Sequence, residues 1–338
     1  MSKIDIRQVS DDEFPLWDAA VEASPHASLF HTTPWLRIVE ACSGSKLHLY
    51  AGYIGNELVG IVPFFERTRM GFRGMHSPIG SFMISNLGPL MPQYENLKQE
   101  KREYIYREFI QEMDATISKT IRADIVTIIT PSDIVDARPL LWNGYEVKPM
   151  YCYRADISDI QMRWDGLKRE LRKNIKDAEK KGVSVVEGGQ EEYWFVIHSV
   201  ANRLGAQKED YDVPQEYWEA LYRAFAPDRL KVFVARRGEE LLSGIIALAY
   251  RDTVSIWVGA SQVEMRGLYP VDLLQWKIVE WAHEHGFSHC EIHGANIPSI
   301  SYFKARYNFD LAIYFAARKE RSLRKIGRGL FNAVGNKI

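Results

Sequence analysis

The feature that most constrains the fold of this chain is a pattern that occurs twice. Residues 49–65 read LYAGYIGNELVGIVPFF, and residues 232–248 read VFVARRGEELLSGIIAL. Each stretch consists of a strand, a glycine-centred turn, an acidic residue, a leucine, a further glycine and an apolar strand. Later in both halves the same order follows: a helix, a buried strand, a short helix, a turn and a strand. The repetition predicts that the chain is a duplication of one α/β unit.

The bulk properties of the chain agree with two folded domains. Its 338 residues exceed one ordinary hydrophobic core. We place the boundary near Ser158, so that the expected domains span residues 1–158 and 159–338. The formal net charge of −1 argues against a protein that coats nucleic acid with its whole surface. Any polyanion would therefore bind locally.

The cysteines and the terminal sequence bear on the cellular compartment. Cys42, Cys152 and Cys290 are far apart in the chain, show no metal-ligand spacing and fit a reducing environment. The N-terminal residues MSKIDIRQVSDDEF contain no apolar signal core, and no apolar run approaches the length of a membrane span. We therefore expect a cytoplasmic protein.

Residues 164–186, WDGLKRELRKNIKDAEKKGVSVV, predict a helix followed by a strand. Asp165 is the expected N-cap and Gly182 the expected residue after the helix. An apolar stripe recurs at helical spacing through Leu167, Leu171, Ile175 and Ala178. Most of the remaining surface is basic and includes Arg172 and Lys173. That surface is either a solvated helix face or a substrate site for a polyanion such as a phosphate, a nucleotide or tRNA.

Three passages of the second half carry a family resemblance. They are W-x-x-L-x-x-x-L-R-K-N-I-x-x-A-E-K-x-G-V at residues 164–183, the predicted helix at residues 270–286, and YFKARYNF at residues 302–309. Together they resemble the FemAB-like branch of the GNAT acyltransferase superfamily, the Fem-type aminoacyl and acyl transferases. The resemblance implies two tandem GNAT-like α/β (α+β) domains, each a mixed, mostly antiparallel sheet flanked by helices. It also implies an enzyme that transfers an acyl or aminoacyl group to an amine.

The third passage supplies a catalytic candidate. Many GNAT enzymes have a tyrosine five residues before the phenylalanine of a closing Gly-Phe turn, where it protonates the leaving thiolate. Counting back five residues from Phe309 gives Lys304, and Asn308 stands in the glycine position. Fem-type enzymes resemble this chain in having Phe-Lys there. A lysine ammonium can stabilise the developing oxyanion or protonate the leaving group; otherwise Lys304 is an ordinary surface lysine. The same passage provides Tyr302 as a candidate substrate-binding residue.

The amine nucleophile must lose a proton to a base. Glu291 lies in the predicted strand SHCEIHG, just before the Lys304 segment. His293 follows two residues later and points to the same face of a strand, so either residue is a candidate base. Alternatively, Glu291 pairs with a lysine of the basic helix and His293 caps or packs.

The acyl donor is left open between acyl-CoA and aminoacyl-tRNA, and no tightly bound cofactor is expected. A CoA-using GNAT enzyme has a Q/R-x-x-G-x-G/A loop that meets the diphosphate at a helix N-terminus. The corresponding loop here, MRGLYPVD, retains Arg266 and Gly267 but has Tyr269 and Pro270 where the pattern needs glycine and backbone donors. An aminoacyl-tRNA donor would use the basic helix and Lys304, although the long helical arm of many tRNA-using Fem-type enzymes has no counterpart in this sequence.

Two further residues are candidates for substrate binding. Arg203 stands where related sequences often have an arginine, and it would hold a phosphate or carboxylate of the acceptor; a solvated helix arginine is the alternative. Trp35, in the passage FHTTPWL, lines the acceptor cleft or belongs to the core. The histidines at 283, 285, 289 and 293 have no standard ligand spacing, so no metal site is expected.

The residues and the resemblance together predict an N-acyltransferase or aminoacyltransferase that makes an amide on an amine of a cell-wall or surface-polysaccharide precursor. The acceptor is a small molecule or is linked to a lipid or nucleotide. The alternative is a non-catalytic polyanion- or nucleotide-binding module that retains the duplicated fold. The basic, amphipathic tail SLRKIGRGLFNAVGNKI either docks on the protein itself or contacts the inner face of the membrane.

Overall fold

The computed structural model describes residues 3–69, 71–206, 213–261 and 267–320. It divides into an N-terminal unit, residues 1–150 with 313–338, and a C-terminal unit, residues 151–312. Within the described ranges, no helix is both long and apolar enough to cross a lipid bilayer. The predicted amphipathic tail lies outside the described residues.

The chain up to Asp156 contains both strands and helices. The strands are β1 (Asp5–Gln8), β2 (Lys46–Ile54), β3 (Glu57–Arg69), β4 (Phe72–Ser77), β5 (Ile125–Ile129) and β6 (Glu146–Asp156). The α-helices are α1 (Phe14–Ala23), α2 (Thr33–Ser43), α3 (Gln99–Thr120) and α4 (Arg138–Trp142).

The same kinds of element continue after Asp156. The helices are α5 (Ile160–Gly166), α6 (Arg169–Lys180), α7 (Gln190–Ala206), α8 (Gln215–Phe225), α9 (Pro270–Glu284) and α10 (Pro298–Lys304). The strands are β7 (Ser184–Gly188), β8 (Leu230–Arg237), β9 (Glu240–Tyr250), β10 (Thr253–Ser261), β11 (His289–Ile292) and β12 (Asp310–Glu320).

Each unit contains a sheet with the same pairing pattern. In the N-terminal unit the order is β1-β2-β3-β4-β5-β12, and in the C-terminal unit it is β7-β8-β9-β10-β11-β6. In both sheets the fourth and fifth strands are parallel and every other neighbouring pair is antiparallel. The predicted fold, a duplicated α/β unit with mixed, mostly antiparallel sheets flanked by helices, is therefore confirmed.

The glycine shared by the two repeated stretches lets a helix approach the sheet closely. A side chain at Gly60 of β3 would collide with the ring of Phe109 in α3. A side chain at Gly244 of β9 would collide with Val196 in α7. The pattern seen in the sequence therefore records the same packing requirement in both units.

The division of the chain differs from the expected boundary near Ser158. The strand that follows α4 is β6, and its residues Tyr153–Asp156 pair with β11 of the C-terminal unit. The strand that follows α10 is β12, and its residues Ala316–Glu320 pair with β5 of the N-terminal unit. Each unit thus takes its sixth strand from the other repeat. Residues 313–320 consequently belong to the N-terminal unit, although 159–338 was the expected C-terminal domain.

The basic segment also differs in detail from its prediction. It forms two helices, because Leu167 leaves the helical conformation with φ −61° and ψ 143°. The first helix, α5, is capped by Asp159, whose carboxylate accepts a hydrogen bond from the Met162 N–H at 2.9 Å, so the prediction of Asp165 as the N-cap was wrong. The apolar stripe is confirmed: Leu167, Leu171, Ile175 and Ala178 are all buried in the core of the C-terminal unit.

Candidate active site

The polar site of the C-terminal unit lies where two parallel strands part. Strands β10 and β11 pair from Thr253↔His289 to Ile256↔Ile292, after which β11 ends and β10 continues to Ser261. At the same level the register of β10 against β9 shifts between Ile256 and Val258. The carboxyl ends of neighbouring parallel strands are a common place for ligands to bind, because the strands diverge there.

Glu291 and His293 lie at this end of β11 and on one face of the sheet. Side chains alternate along a strand, and Cys290 and Ile292, on either side of Glu291, point into the core on the opposite face. The Glu291 carboxylate is buried, and its Oε1 lies 2.5 Å from Nε2 of His293. The carboxylate and the imidazole therefore form one coupled acid–base pair.

Cys152 of β6 completes this polar face. Its neighbour Tyr153 pairs with Ile292 and points into the core, so the thiol of Cys152 lies on the face of Glu291 and His293. The donor atoms of Cys152, Glu291 and His293 all lie within 4.8 Å of one another. Sequence reasoning missed Cys152, because β6 and β11 are far apart in the chain and no local spacing connects them.

Lys304 is the last residue of α10, and its ammonium contacts the backbone just after β11. Its Nζ donates a hydrogen bond to the backbone carbonyl of His293. Burial lowers the pKa of Lys304 to about 8. The approach depends on Gly294, whose φ is +100° and whose missing Cβ would lie 3.2 Å from the lysine Nζ and 3.0 Å from Ile300. The structure thus places the Lys304 ammonium at the backbone of His293, just beyond the end of the strand that carries Glu291.

Side-chain hydrogen bonds hold the loop and helix that carry Lys304 against β6. The Asn296 amide donates to the carbonyl of Tyr151 and accepts from its N–H, both at 2.9 Å. The hydroxyls of Tyr153 and Ser301 are 2.8 Å apart. Sequence reasoning missed these residues as well; the only signal was the turn sequence GANIPS, which predicts a loop but not its partner.

A buried carboxylate joins the three passages that carried the family resemblance. Asp272, in the first turn of α9, receives two hydrogen bonds from the Arg306 guanidinium, at 2.6 and 3.2 Å. It also accepts a hydrogen bond from the Asn174 amide of α6 at 2.8 Å. The three passages therefore each contribute one side chain to this hydrogen-bonded group. The group fixes the turn after Lys304 to both α6 and α9.

The remaining substrate-binding candidates lie on helix surfaces or in a core. Arg172 donates to the backbone carbonyl of Asp165 at 2.8 Å, and Lys173 is exposed on α6. Arg203 is exposed on α7, and Tyr302 of α10 is 81% exposed. Trp35 is fully buried in the N-terminal unit, with its ring 4.9 Å from that of Phe30.

The start of α9 follows two residues in the left-handed conformation and lies beside a lysine. Gly267 and Tyr269 have φ values of +81° and +52°, and Pro270 opens the helix. Lys181 donates to the Gly267 carbonyl at 2.5 Å, and its Nζ lies 5.5 Å from the centre of the Tyr269 ring. A helix N-terminus with an adjacent lysine can hold a diphosphate. Arg266 lies outside the described residues.

The comparisons with known proteins agree with this architecture. Residues 166–304 match the family model of the acetyltransferase (GNAT) domain, and the search of curated proteins returned no match. The crystal structure of FemX has a TM-score of 0.66 at 13% identity and covers 92% of this chain and 96% of its own. The L-PGS structure from Bacillus licheniformis has a TM-score of 0.53 at 14% identity and covers 95% of each chain. A tandem GNAT protein from the clavulanic acid biosynthesis pathway has a TM-score of 0.53 at 13% identity, over 94% of this chain and 98% of that one.

At these identities the likeness of the solved structures establishes the fold and not the substrate. The matched family segment runs from Gly166 to Lys304 and so contains β10, β11 and α10, which build the polar site. Residues 166–304 are therefore similar to a GNAT acetyltransferase domain, within a chain that has the fold of FemX and of a tandem GNAT protein.

Proposed function

We propose that this protein is an N-acyltransferase or aminoacyltransferase that forms an amide bond on a primary amine. The observation that carries the proposal is the hydrogen bond from the Lys304 ammonium to the backbone of His293, the residue whose side chain pairs with Glu291 where β10 and β11 part. An ammonium and a proton acceptor at one site are what aminolysis of an ester or thioester needs. The matched GNAT segment, which contains these residues, supports the same chemistry.

The reaction can be assigned to these groups with its protons balanced. The amine attacks the donor carbonyl, and the Lys304 ammonium stabilises the oxyanion that forms. The Glu291–His293 pair accepts the proton that the amine loses. The carbon–oxygen or carbon–sulfur bond of the donor then breaks, and the leaving oxygen or sulfur takes a proton from Lys304.

The donor is proposed to be an acyl-CoA or an aminoacyl-tRNA, and the two possibilities have different structural support. The start of α9, with Gly267, Tyr269 and Lys181, fits the diphosphate of CoA. The exposed basic side chains of α6, which include Lys173, fit the phosphates of a tRNA.

The proposed acceptor is an amine on a cell-wall or surface-polysaccharide precursor, at the inner face of the cytoplasmic membrane or in the cytoplasm. Support comes from the family resemblance of the sequence and from the fold shared with FemX over 92% of the chain. Another protein with this fold is described as a putative lysylphosphatidylglycerol synthetase from Agrobacterium fabrum, with a TM-score of 0.53, so a lipid-linked acceptor is part of the same proposal.

The test is amide formation by the purified chain, followed by mass spectrometry, with acyl-CoA and aminoacyl-tRNA supplied separately to a set of amine acceptors. Lys304→Met is expected to lower turnover by about 100- to 1,000-fold, the usual effect of removing an oxyanion-stabilising group. Glu291→Gln is expected to lower it by about 100-fold. The exposed Lys148→Met is the matched control and should retain full activity.

Unchanged turnover in the Lys304→Met variant would reject the proposed mechanism. If the protein binds nucleotides or tRNA tightly but forms no amide with any donor, the non-catalytic binding module is the correct function.

A further inference from the structure

We propose that Cys152, Glu291 and His293 form a binding site for a divalent transition-metal ion of the zinc type. Their donor atoms lie within 4.8 Å of one another. Ligand atoms around one tetrahedral zinc ion are separated by roughly 3 to 4 Å, given bond lengths of about 2.0 to 2.3 Å. Small side-chain rotations therefore suffice to place all three around one ion.

The chemical identity of the three ligands selects the kind of metal. A thiolate, an imidazole and a carboxylate suit Zn²⁺ and its neighbours in the first transition row. Mg²⁺ and Ca²⁺ prefer an all-oxygen set, which the sulfur of Cys152 does not provide. Three protein ligands also leave a fourth position for water or a substrate atom, as in catalytic zinc sites.

The ligands lie on or directly after paired strands, which favours a preformed site. Glu291 and His293 are two residues apart at the end of β11, and Cys152 comes from the adjacent strand β6. Two ligands are buried, while the His293 side chain is 19% exposed. An ion would therefore enter from the His293 side and meet the buried thiol and carboxylate behind it.

The burial of Cys152 also favours a role as a metal ligand over a role as a nucleophile. Cys152 is 0% exposed, so a substrate carbonyl has no direct path to its sulfur. An ion held between Cys152 and the partly exposed His293 needs no such path, because the ion itself presents its open position to solvent. The Glu291 carboxylate and the Cys152 thiolate together would neutralise the 2+ charge.

The inference shares Glu291 and His293 with the proposed acyl transfer, and an ion bound to them would occupy the proton acceptor, so metal would inhibit amide formation. Metal binding itself is measured without any substrate, so its test is independent of the proposed function. The experiment is a titration of the full-length protein with Co²⁺, which reports ligands spectroscopically in place of Zn²⁺. We expect a thiolate-to-cobalt charge-transfer band in the near ultraviolet and intense visible bands of tetrahedral cobalt. Added Zn²⁺ should displace the cobalt and abolish both signals.

Variants identify the ligands. Cys152→Ser should remove the near-ultraviolet band, and His293→Gln should weaken cobalt binding by at least about 10-fold. Cys290→Ala is the matched control, since this cysteine is buried on the same strand as Glu291 but points to the opposite face. Circular dichroism verifies that each variant is folded, and His293→Gln tests the site even if Cys152→Ser does not fold. Absence of the band in the unmodified protein, or its persistence in Cys152→Ser, would overturn the proposal.

Discussion

At the scale of single residues, the position of Lys304 depends on Gly294, a residue that has no reactive side chain of its own. Gly294 follows His293 and has a φ of +100°, a conformation that side chains with a Cβ rarely adopt. The space that its Cβ would fill is occupied by the Lys304 ammonium and by Ile300. The Lys304 ammonium can therefore approach the backbone here only because residue 294 has no Cβ.

Gly294→Ala is expected to lower both stability and turnover. The strained backbone should cost about 1 to 3 kcal/mol, and the displaced ammonium should lower amide formation by at least about 10-fold. Gly286→Ala is the matched control, because Gly286 has a similar φ of +82° but nothing within 4 Å of the position that a Cβ would take. Urea unfolding and the turnover assay separate the two effects; equal loss of turnover in both variants would contradict the role of Gly294.

A buried histidine of the N-terminal unit should make stability depend on pH. His31 is fully buried, and burial lowers its pKa to about 4 from a usual value of 6.5. The unfolded chain therefore binds a proton that the folded chain does not, so stability is complete above about pH 6.5 and falls as the pH drops toward 4, by about 3 kcal/mol in total.

The measurement is the free energy of unfolding of the N-terminal unit between pH 7 and pH 4. His31→Gln should remove this part of the pH dependence, whereas His198→Gln, at an exposed position of α7, should leave it unchanged. An identical pH dependence in the His31→Gln variant and the unmodified protein would show that His31 is not the responsible group.

At the scale of elements, the C-terminal unit is held together at Asp272 as well as by its apolar core. This one carboxylate of α9 binds Arg306, which follows α10, and Asn174 of α6. The sequence predicted the helices and the apolar stripe of α6 because both follow from a local period. It did not predict this junction, since the three residues are separated by long stretches of chain.

Asp272→Ala is expected to destabilise the C-terminal unit by about 3 to 5 kcal/mol, because it leaves the Arg306 guanidinium partly buried without its carboxylate. Glu284→Ala, an exposed position of the same helix, should change the free energy of unfolding by less than about 0.5 kcal/mol. Urea unfolding measures both. The coupling between the partners follows from Asp272→Asn and Arg306→Met singly and combined, and additive effects would contradict the assigned interaction.

At the scale of the whole molecule, the two repeats exchange their last strands. The N-terminal unit is completed by β12, which is the end of the described chain, and the C-terminal unit by β6. Neither sheet can therefore form its full set of strands from one contiguous half of the sequence. The stability of the N-terminal unit consequently depends on residues 313–320.

Ala317→Asp is expected to destabilise the N-terminal unit by several kcal/mol, because Ala317 is buried in the core of that unit and the new carboxylate would lack a partner. Leu311→Asp is the control on the same strand; Leu311 is 60% exposed, and we expect a change of less than about 0.5 kcal/mol. Thermal unfolding with limited proteolysis shows which unit opens first. A stable N-terminal unit in the Ala317→Asp variant would contradict the strand exchange.

The sequence by itself determined the duplicated α/β unit, the two hairpins with their shared glycine and the apolar stripe of α6. These features are local in the chain, so helical and strand periodicity, turn residues and short motifs express them. Only the tertiary structure decided the exchange of β6 and β12, the carboxylate junction at Asp272, and the placement of Cys152 beside Glu291 and His293. Those features depend on which strands become neighbours in the sheet, and strand order is set by the packing of the whole chain and leaves no local period to detect.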